Sequence, residues 1–256
     1  MIFVAAGTQD GRELVGLLLD KGYEVTASVV SHYGEQLLAA SAGKKLIINE
    51  KPLDETALEA YLREHDIRCF VDASHPYAVN VSKNAMAACR SRHIPYIRYE
   101  RLLTELTYEK IQVVHSYAEA AKAAAACGKH VFLTTGSRNL QKFTEAKVLQ
   151  DAGAILTARV LPTAEVIALC ENLGLQPKQI VAMQGPFSAA LNRELFLKYK
   201  ADVVVTKNSG AIGGTDTKIM AAEDLGLPVI VIDRPVLPYE HLVHRYEDVL
   251  SFLEDL

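Results

Sequence analysis

Short apolar, β-branched runs alternate with amphipathic stretches of helical length from one end of the chain to the other, and this alternation limits the fold more than any other feature. Strands separated by helices need crossover connections, so they lie parallel in sheets covered by helices on both faces. In the first half the runs predict strands at Ile2–Ala5, Val25–Val30, Leu46–Ile48, Phe70–Asp72 and Tyr96–Arg98, with helices near Arg12–Lys21, Glu35–Ala42, Glu55–His65 and Val79–His93. The second half predicts strands at Val131–Thr134, Leu156–Val160, Ile180–Gln184, Val203–Thr206 and Val229–Ile232. Its helices are expected at Tyr117–Ala126, entered through a Ser116/Glu119 capping box, then at Ala164–Leu173, Ala189–Lys198, Ile219–Leu225 and Tyr246–Leu253. The polar, weakly patterned segment Arg101–Gln112 reads as a linker. The expected architecture is α/β: two Rossmann-like, doubly wound parallel-sheet domains at residues 1–100 and 113–256, joined by residues 101–112. The second domain should end in the closing helix, and the active site is expected in the cleft between the two.

A chain of 256 residues suits two domains of ordinary size. Its net charge of −4 argues against a general nucleic-acid or membrane-surface binder, which would draw its affinity from surplus Lys and Arg. Cys69, Cys89, Cys127 and Cys170 are widely spaced and form no CxxC pair, so buried free thiols in a reducing compartment are expected rather than disulfides or zinc. Met1 runs straight into a strand-like segment with no basic flank and no long apolar run, so neither a signal peptide nor a spanning helix is expected, and the cytoplasm is the expected compartment.

Open α/β sheets bind ligands outside the carboxyl ends of their strands. Ala201–Lys218 is the most suggestive such exit: Val203, Val204 and Val205 deliver Thr206 and Lys207 to a loop with Gly210, Gly213 and Gly214, and Lys218 follows at a helix start. Backbone N–H groups gathered there beside two lysines suit an anion. The first loop carries Gly7 and Gly11 without the full G-x-G-x-x-G spacing; Gly7 would let a pyrophosphate approach, while Thr8 and Gln9 add donors. Arg12 either pairs with phosphate or is solvated. After the second strand, from Ser28 to Glu35, no Arg or Lys stands ready for a 2′-phosphate, and Glu35 is suited to a ribose diol; this leans towards NADH over NADPH. His75, beside Asp72 and Tyr77, is either a structural hydrogen-bonding group or a catalytic one. His241 and His244 have a spacing that would share a helix face, but they lack a third ligand, and no metal is expected. Arg98, Arg101, Arg138, Arg159, Lys207, Lys218 and Arg234 are either solvated or set to receive a substrate with several carboxylates.

Seven stretches taken in order resemble the precorrin-6A reductase family of cobalamin biosynthesis, in particular the cobalt-precorrin-6A reductases of its anaerobic branch. They are AGTQDGREL (Ala6–Leu14), VDASHPYA (Val71–Ala78), LTTGSRNL (Leu133–Leu140), ARVLPTAEVI (Ala158–Ile167), QGPFSAALN (Gln184–Asn192), VVVTKNSGAIGG (Val203–Gly214) and VIVIDRP (Val229–Pro235). The resemblance implies an oxidoreductase that reduces a CH–CH bond of cobalt-precorrin-6A, or precorrin-6A, to the 6B form with NADH or NADPH. It places Gly7, Thr8 and Gln9 in a glycine-threonine loop expected to meet the cofactor and Ser74, His75 and Pro76 in the family's Ser-His-Pro loop; Arg12 and Ser28, from the reading of the residues themselves, complete the expected cofactor set. Lys207, Ser209, Gly210 and Lys218 fall in its lysine-serine-glycine segment, expected near the nicotinamide or the macrocycle; with Ser137, Arg138 and Ser188 from the strand exits they make the expected substrate set, and the proton donor is expected among Lys218, Lys207, His75 and Tyr77, with Lys218 first. Gly11 stands where alanine is expected in many members, which should loosen the helix start. The implied partner is a small-molecule tetrapyrrole, with no nucleic acid and no membrane; other enzymes of the pathway are candidates for handing the substrate over. A non-catalytic NAD(P)H-binding sensor and an S-adenosylmethionine-dependent tetrapyrrole methyltransferase are the competing readings.

Overall fold

The predicted strands inside each sheet form because their apolar runs are buried on both faces, as parallel strands under helices require. A computed structural model describes residues 1–29, 38, 45–49, 53–210 and 213–256. The chain forms two compact units, residues 1–102 with 235–256, and residues 103–234. In the first unit β1 (Ile2–Ala5), β2 (Val25–Ser28), β3 (Leu46–Asn49), β4 (Cys69–Asp72), β5 (Tyr96–Tyr99) and β12 (Leu242–Val243) form one sheet in the order β12-β5-β4-β1-β2-β3. Every pairing is parallel. This is the 3-2-1-4-5-6 order of the dinucleotide-binding fold, in which the winding reverses between β1 and β4.

One face of this sheet packs Val4, Val71 and Ile97 against Leu14 and Leu18 of α1 (Gln9–Asp20) and Val249 and Leu253 of α10 (Tyr246–Glu254). On the other face Phe3, Phe70 and Tyr96 meet α2 (Glu55–Glu64) and α3 (Val79–Arg92), with the Phe3 and Phe70 rings stacked 4.7 Å apart. The helix expected at Glu35–Ala42 lies outside the described residues except for Leu38, which is buried in the first of these cores.

The second unit has β6 (Ile111–Val114), β7 (His130–Leu133), β8 (Ile155–Val160), β9 (Ile180–Ala182), β10 (Val203–Lys207) and β11 (Val229–Ile232), in the order β6-β11-β10-β7-β8-β9, again all parallel. Its described helices are α4 (Tyr117–Cys127), α5 (Gln141–Thr144), α6 (Lys147–Asp151), α7 (Ala164–Asn172), α8 (Ala189–Lys198) and α9 (Thr215–Asp224). The winding reverses here between β7 and β10. Ser116 caps α4 by accepting from Glu119 N at 3.1 Å, and the Glu119 carboxylate reaches back to His115 N, one residue beyond the cap itself.

The domain boundaries differ from the expected ones in two ways. Residues 103–110 are no free linker: Asn208 exchanges two hydrogen bonds with the Thr104 backbone, Tyr108 is buried in the second core, and β6 begins at Ile111. This strand escaped the sequence reading because it is a half-exposed edge. The C-terminal segment does not close the second domain. Residues 235–256 return to the first unit, where β12 extends the sheet beside β5 and α10 covers its core. An amphipathic helix must cover some core, but its sequence does not say which. His241 and His244 therefore flank a two-residue strand instead of sharing a helix face. Cys69, Cys89 and Cys170 are buried free thiols as expected, whereas Cys127 is exposed at the end of α4.

Candidate active site

In the first unit the reversal point places the tips of β1 and β4 side by side, with Ala5 in register with Asp72. Gly7 is exposed there, and Thr8 caps α1 by accepting from Gly11 N at 3.0 Å. The Thr8 hydroxyl also donates to Ala73 O at 3.0 Å, so it ties the two tips together. Gly11 is tightly enclosed: a Cβ would lie 2.8 Å from Ala6 Cα and 3.1 Å from Ala73 O. The expectation that this glycine merely loosens the helix is corrected; its missing side chain lets α1 approach the β1 and β4 tips. Gln9 is exposed and bonds Glu13, Arg12 is half-buried, and Ser28 ends β2 with Asn49 donating to its hydroxyl. Glu35, proposed for a ribose, lies outside the described residues.

The loop carrying Ser74, His75 and Pro76 rests on a buried ionic network. Asp72 accepts from Ser74 N at 3.0 Å, Arg98 at 2.7 Å, the Ser82 hydroxyl at 2.6 Å and the Tyr96 hydroxyl at 2.7 Å. Arg98, with no exposed surface, also donates to the Ser74 hydroxyl at 3.1 Å and to Glu100 at 3.0 Å. Although burial alone would raise it, the Asp72 carboxyl is held below its ordinary range by Arg98 and by the bonds from Ser74, Ser82 and Tyr96. His75 and Tyr77 are half-buried, and His75 Nδ1 accepts from Tyr77 N at 3.3 Å. Arg101 pairs with buried Asp10 at 2.7 Å. Arg98 and Arg101 are thus held by carboxylates of their own unit and do not belong among cations set to receive a substrate.

The reversal point of the second unit carries the opposite equipment. From β7 come Thr135, whose buried hydroxyl has no hydrogen-bond partner among the described residues, and then Gly136, Ser137 and Arg138. From β10 comes half-buried Lys207, followed by Asn208, Ser209 and Gly210. Thr215 binds both arms of this loop, accepting from Ser209 N at 3.1 Å and donating to Lys207 O at 3.2 Å. A Cβ on Gly213 would fall 2.0 Å from Ser209 Oγ, and Gly210 and Gly214 have φ of +77° and +66°, so glycine is required at these three positions. Lys218, in the first turns of α9, is buried and donates to Gly213 O at 2.9 Å. Burial, with repulsion from Arg159 and Lys207 only partly offset by Asp216, brings Lys218 down to about 7. Burial and then Arg138 bring Lys207 to about 8. Ser188 caps α8 by accepting from Leu191 N at 3.1 Å.

The structure therefore gathers the expected residues at two separate sheet edges: Gly7, Thr8, Gln9, Arg12, Ser28, Ser74, His75, Pro76 and Tyr77 on the first unit, and Ser137, Arg138, Ser188, Lys207, Ser209, Gly210 and Lys218 on the second. Sequence reasoning passed over Asn192, Phe187 and Thr215 because an amide, an apolar ring and a hydroxyl carry no signal without their partners. Among the described residues no group of three potential ligands is placed to hold a metal, and no helix is long and apolar enough to cross a membrane.

The profile of the precorrin-6x reductase CbiJ/CobK family matches residues 1–254. The chain is 41% identical over 253 residues to a cobalt-precorrin-6A reductase of Priestia megaterium, covering 99% of this chain and 98% of that protein. It is 38% identical over 236 residues to a cobalt-precorrin-6A reductase of Salmonella typhimurium, covering 91% and 87%. A solved structure of CobK precorrin-6A reductase superposes with a TM-score of 0.78 at 27% identity, covering 99% of this chain and 96% of that one. The chain belongs to the precorrin-6x reductase CbiJ/CobK family.

Proposed function

We propose, on the premise of that membership, that the chain reduces one carbon–carbon double bond of cobalt-precorrin-6A, or of metal-free precorrin-6A, to the 6B compound in cobalamin biosynthesis, using NADH or NADPH. The observation that carries this reading is the unlike chemistry of the two reversal points. The first presents exposed Gly7 and the start of α1 in the strand order of dinucleotide-binding folds; the second presents Arg138, Lys207 and Lys218, suited to a polycarboxylate. Close packing of α1 on the strand tips at Gly11 fits a nucleotide site.

When bound, the reduced nicotinamide supplies the hydride. In this reading the Gly7 backbone receives the pyrophosphate, flanked by Gln9 and Arg12, and Ser28 faces the ribose. The loop of Ser74, His75 and Pro76, fixed by Asp72 and Arg98, closes the other side of the crevice. Arg138, Lys207, Ser137, Ser188, Ser209 and Gly210 hold the macrocycle and stabilise negative charge that develops on hydride addition. Lys218 gives its proton to the neighbouring ring carbon; at about 7 its acidity suits proton transfer near neutral pH. Lys207, His75 and Tyr77 are the remaining candidates for that role. NADH is favoured because the stretch from Ser28 to Glu35 holds no Arg or Lys for a 2′-phosphate. A cytoplasmic reaction, with hand-over of substrate between enzymes of the pathway, completes the reading.

The test mixes the purified protein with cobalt-loaded or metal-free substrate and each nucleotide, following the nicotinamide absorbance and the product mass. One nucleotide oxidised per two hydrogens gained is expected. Tight nucleotide binding without oxidation would instead favour a sensor, and methyl transfer from S-adenosylmethionine a methyltransferase.

A further inference from the structure

Arg159 stands out from the other buried arginines. It is the fifth residue of β8 and is 6% exposed. Arg98 meets Asp72 and Glu100, and Arg101 meets Asp10, so each of those charges is compensated inside the protein. The direct contacts of Arg159 are neutral: one N–H donates to Asn192 Oδ1 at 2.6 Å, and the guanidinium lies 4.1 Å from the centre of the Phe187 ring. Among the described residues no carboxylate pairs with it. A guanidinium has five N–H donors in a rigid fork, and Asn192 takes one of them.

The surroundings hold that fork in place. Asn192 is fully buried, donates to Ser188 O at 3.0 Å, and contacts the Thr217 hydroxyl at 3.5 Å, which links β8 through α8 to the first turn of α9. The next residue there is Lys218. The charges facing Lys218 are Arg159 from β8, Lys207 from β10 and Asp216 from α9 itself. Arg159 and Lys218 are two buried cations near a single carboxylate, Asp216, a costly arrangement that an anion from outside would relieve.

We infer that Arg159 is a specificity-determining residue that seats one particular carboxylate of the macrocycle through its planar fork, with Asn192 as the residue that positions the fork. This rests on the reductase reading and adds to it a site for an individual side chain of the substrate. A planar fork discriminates where a lysine cannot: it fixes both carboxylate oxygens, and so fixes the rotation of the macrocycle.

The experiment measures steady-state reduction by the wild type, Arg159→Gln, Arg159→Lys and Asn192→Asp, using cobalt-precorrin-6A and a set of its mono-methyl esters. Arg159→Gln should raise the KM for the macrocycle roughly 10- to 100-fold, as expected for a lost charge-assisted hydrogen-bonded pair, and leave the KM for the nucleotide unchanged. Arg159→Lys should restore only part of this. Asn192→Asp, which brings a carboxylate to the guanidinium, should raise the macrocycle KM as well. One mono-ester should bind poorly to the wild type yet lose nothing further in Arg159→Gln, whereas the others should respond independently. Calorimetric unfolding of both units checks that each variant is folded. A wild type that reduces the substrate alongside a folded Arg159→Gln with unchanged macrocycle KM, or with equal further losses for every ester, overturns the inference alone. A wild type that reduces no corrin precursor overturns the reductase reading.

Discussion

Arg98→Met removes the centre of the buried network beneath the loop of Ser74, His75 and Pro76. In the wild type the guanidinium bonds Asp72, Glu100 and the Ser74 hydroxyl, and neither Arg98 nor Asp72 has exposed surface. Methionine fills most of the volume, so the loss comes from two carboxylates left buried without their cation. Breaking a buried pair in this way costs about 3–5 kcal/mol. For a unit of this size that lowers the unfolding midpoint by roughly 10–25 °C. The pH dependence separates this cause from loose packing. The folded Asp72 carboxyl lies below its ordinary value, so its contribution is fully present above the unfolded pKa of about 3.9 and is lost as pH falls through the folded value. Without Arg98, burial dominates and raises the same carboxyl, so the variant loses stability as pH rises instead. Calorimetric unfolding from pH 4 to pH 8 should therefore show the gap between wild type and variant widening with pH. A pH-independent gap, or a loss below about 1 kcal/mol at neutral pH, would refute the electrostatic account. The nucleotide KM should rise in the folded variant, because Ser74 loses one of its two anchors.

Lys218→Met should lower kcat about 10²–10⁴-fold with the macrocycle still bound, and wild-type kcat/KM should fall as pH rises through about 7, where Lys218 gives up its proton; full turnover of the variant with normal solvent-proton incorporation would move the role elsewhere. Gly11→Ala gains helix propensity of up to about 1 kcal/mol but meets Ala6 and Ala73, and overpacking of about 1–3 kcal/mol should prevail. Urea unfolding should show net destabilisation with weaker nucleotide binding, and a stabilised variant with intact binding would show that α1 has room to move. Leu253→Ala, near the C-terminus yet fully buried in the first core, should cost about 2–5 kcal/mol, and hydrogen exchange should place the loss in strands β1 and β4. Loss of protection confined to the second unit would refute the assignment of α10.

Much of the fold is legible along the chain, and the reasons are local. Runs such as Ile2–Ala5 and Val203–Lys207 are apolar throughout because parallel strands bury both faces, and Thr8, Ser116 and Ser188 announce their helices through side chains that accept from the first turn. Small residues at strand exits likewise point to both sheet edges that carry the candidate site. Which arginines are compensated is not legible. Arg98 and Arg159 both sit in short apolar strands, and only strand order and helix packing place Asp72 beside one and Asn192 beside the other. The same holds for the last residues of the chain. Amphipathicity requires α10 to cover a core, but pairing energies between distant segments decide that the core is the first one, since β12 finds its open edge beside β5. Periodicity and capping depend on neighbours a few residues apart and survive in the one-dimensional text; charge compensation and sheet membership depend on partners far along the chain, and only the folded structure brings those together.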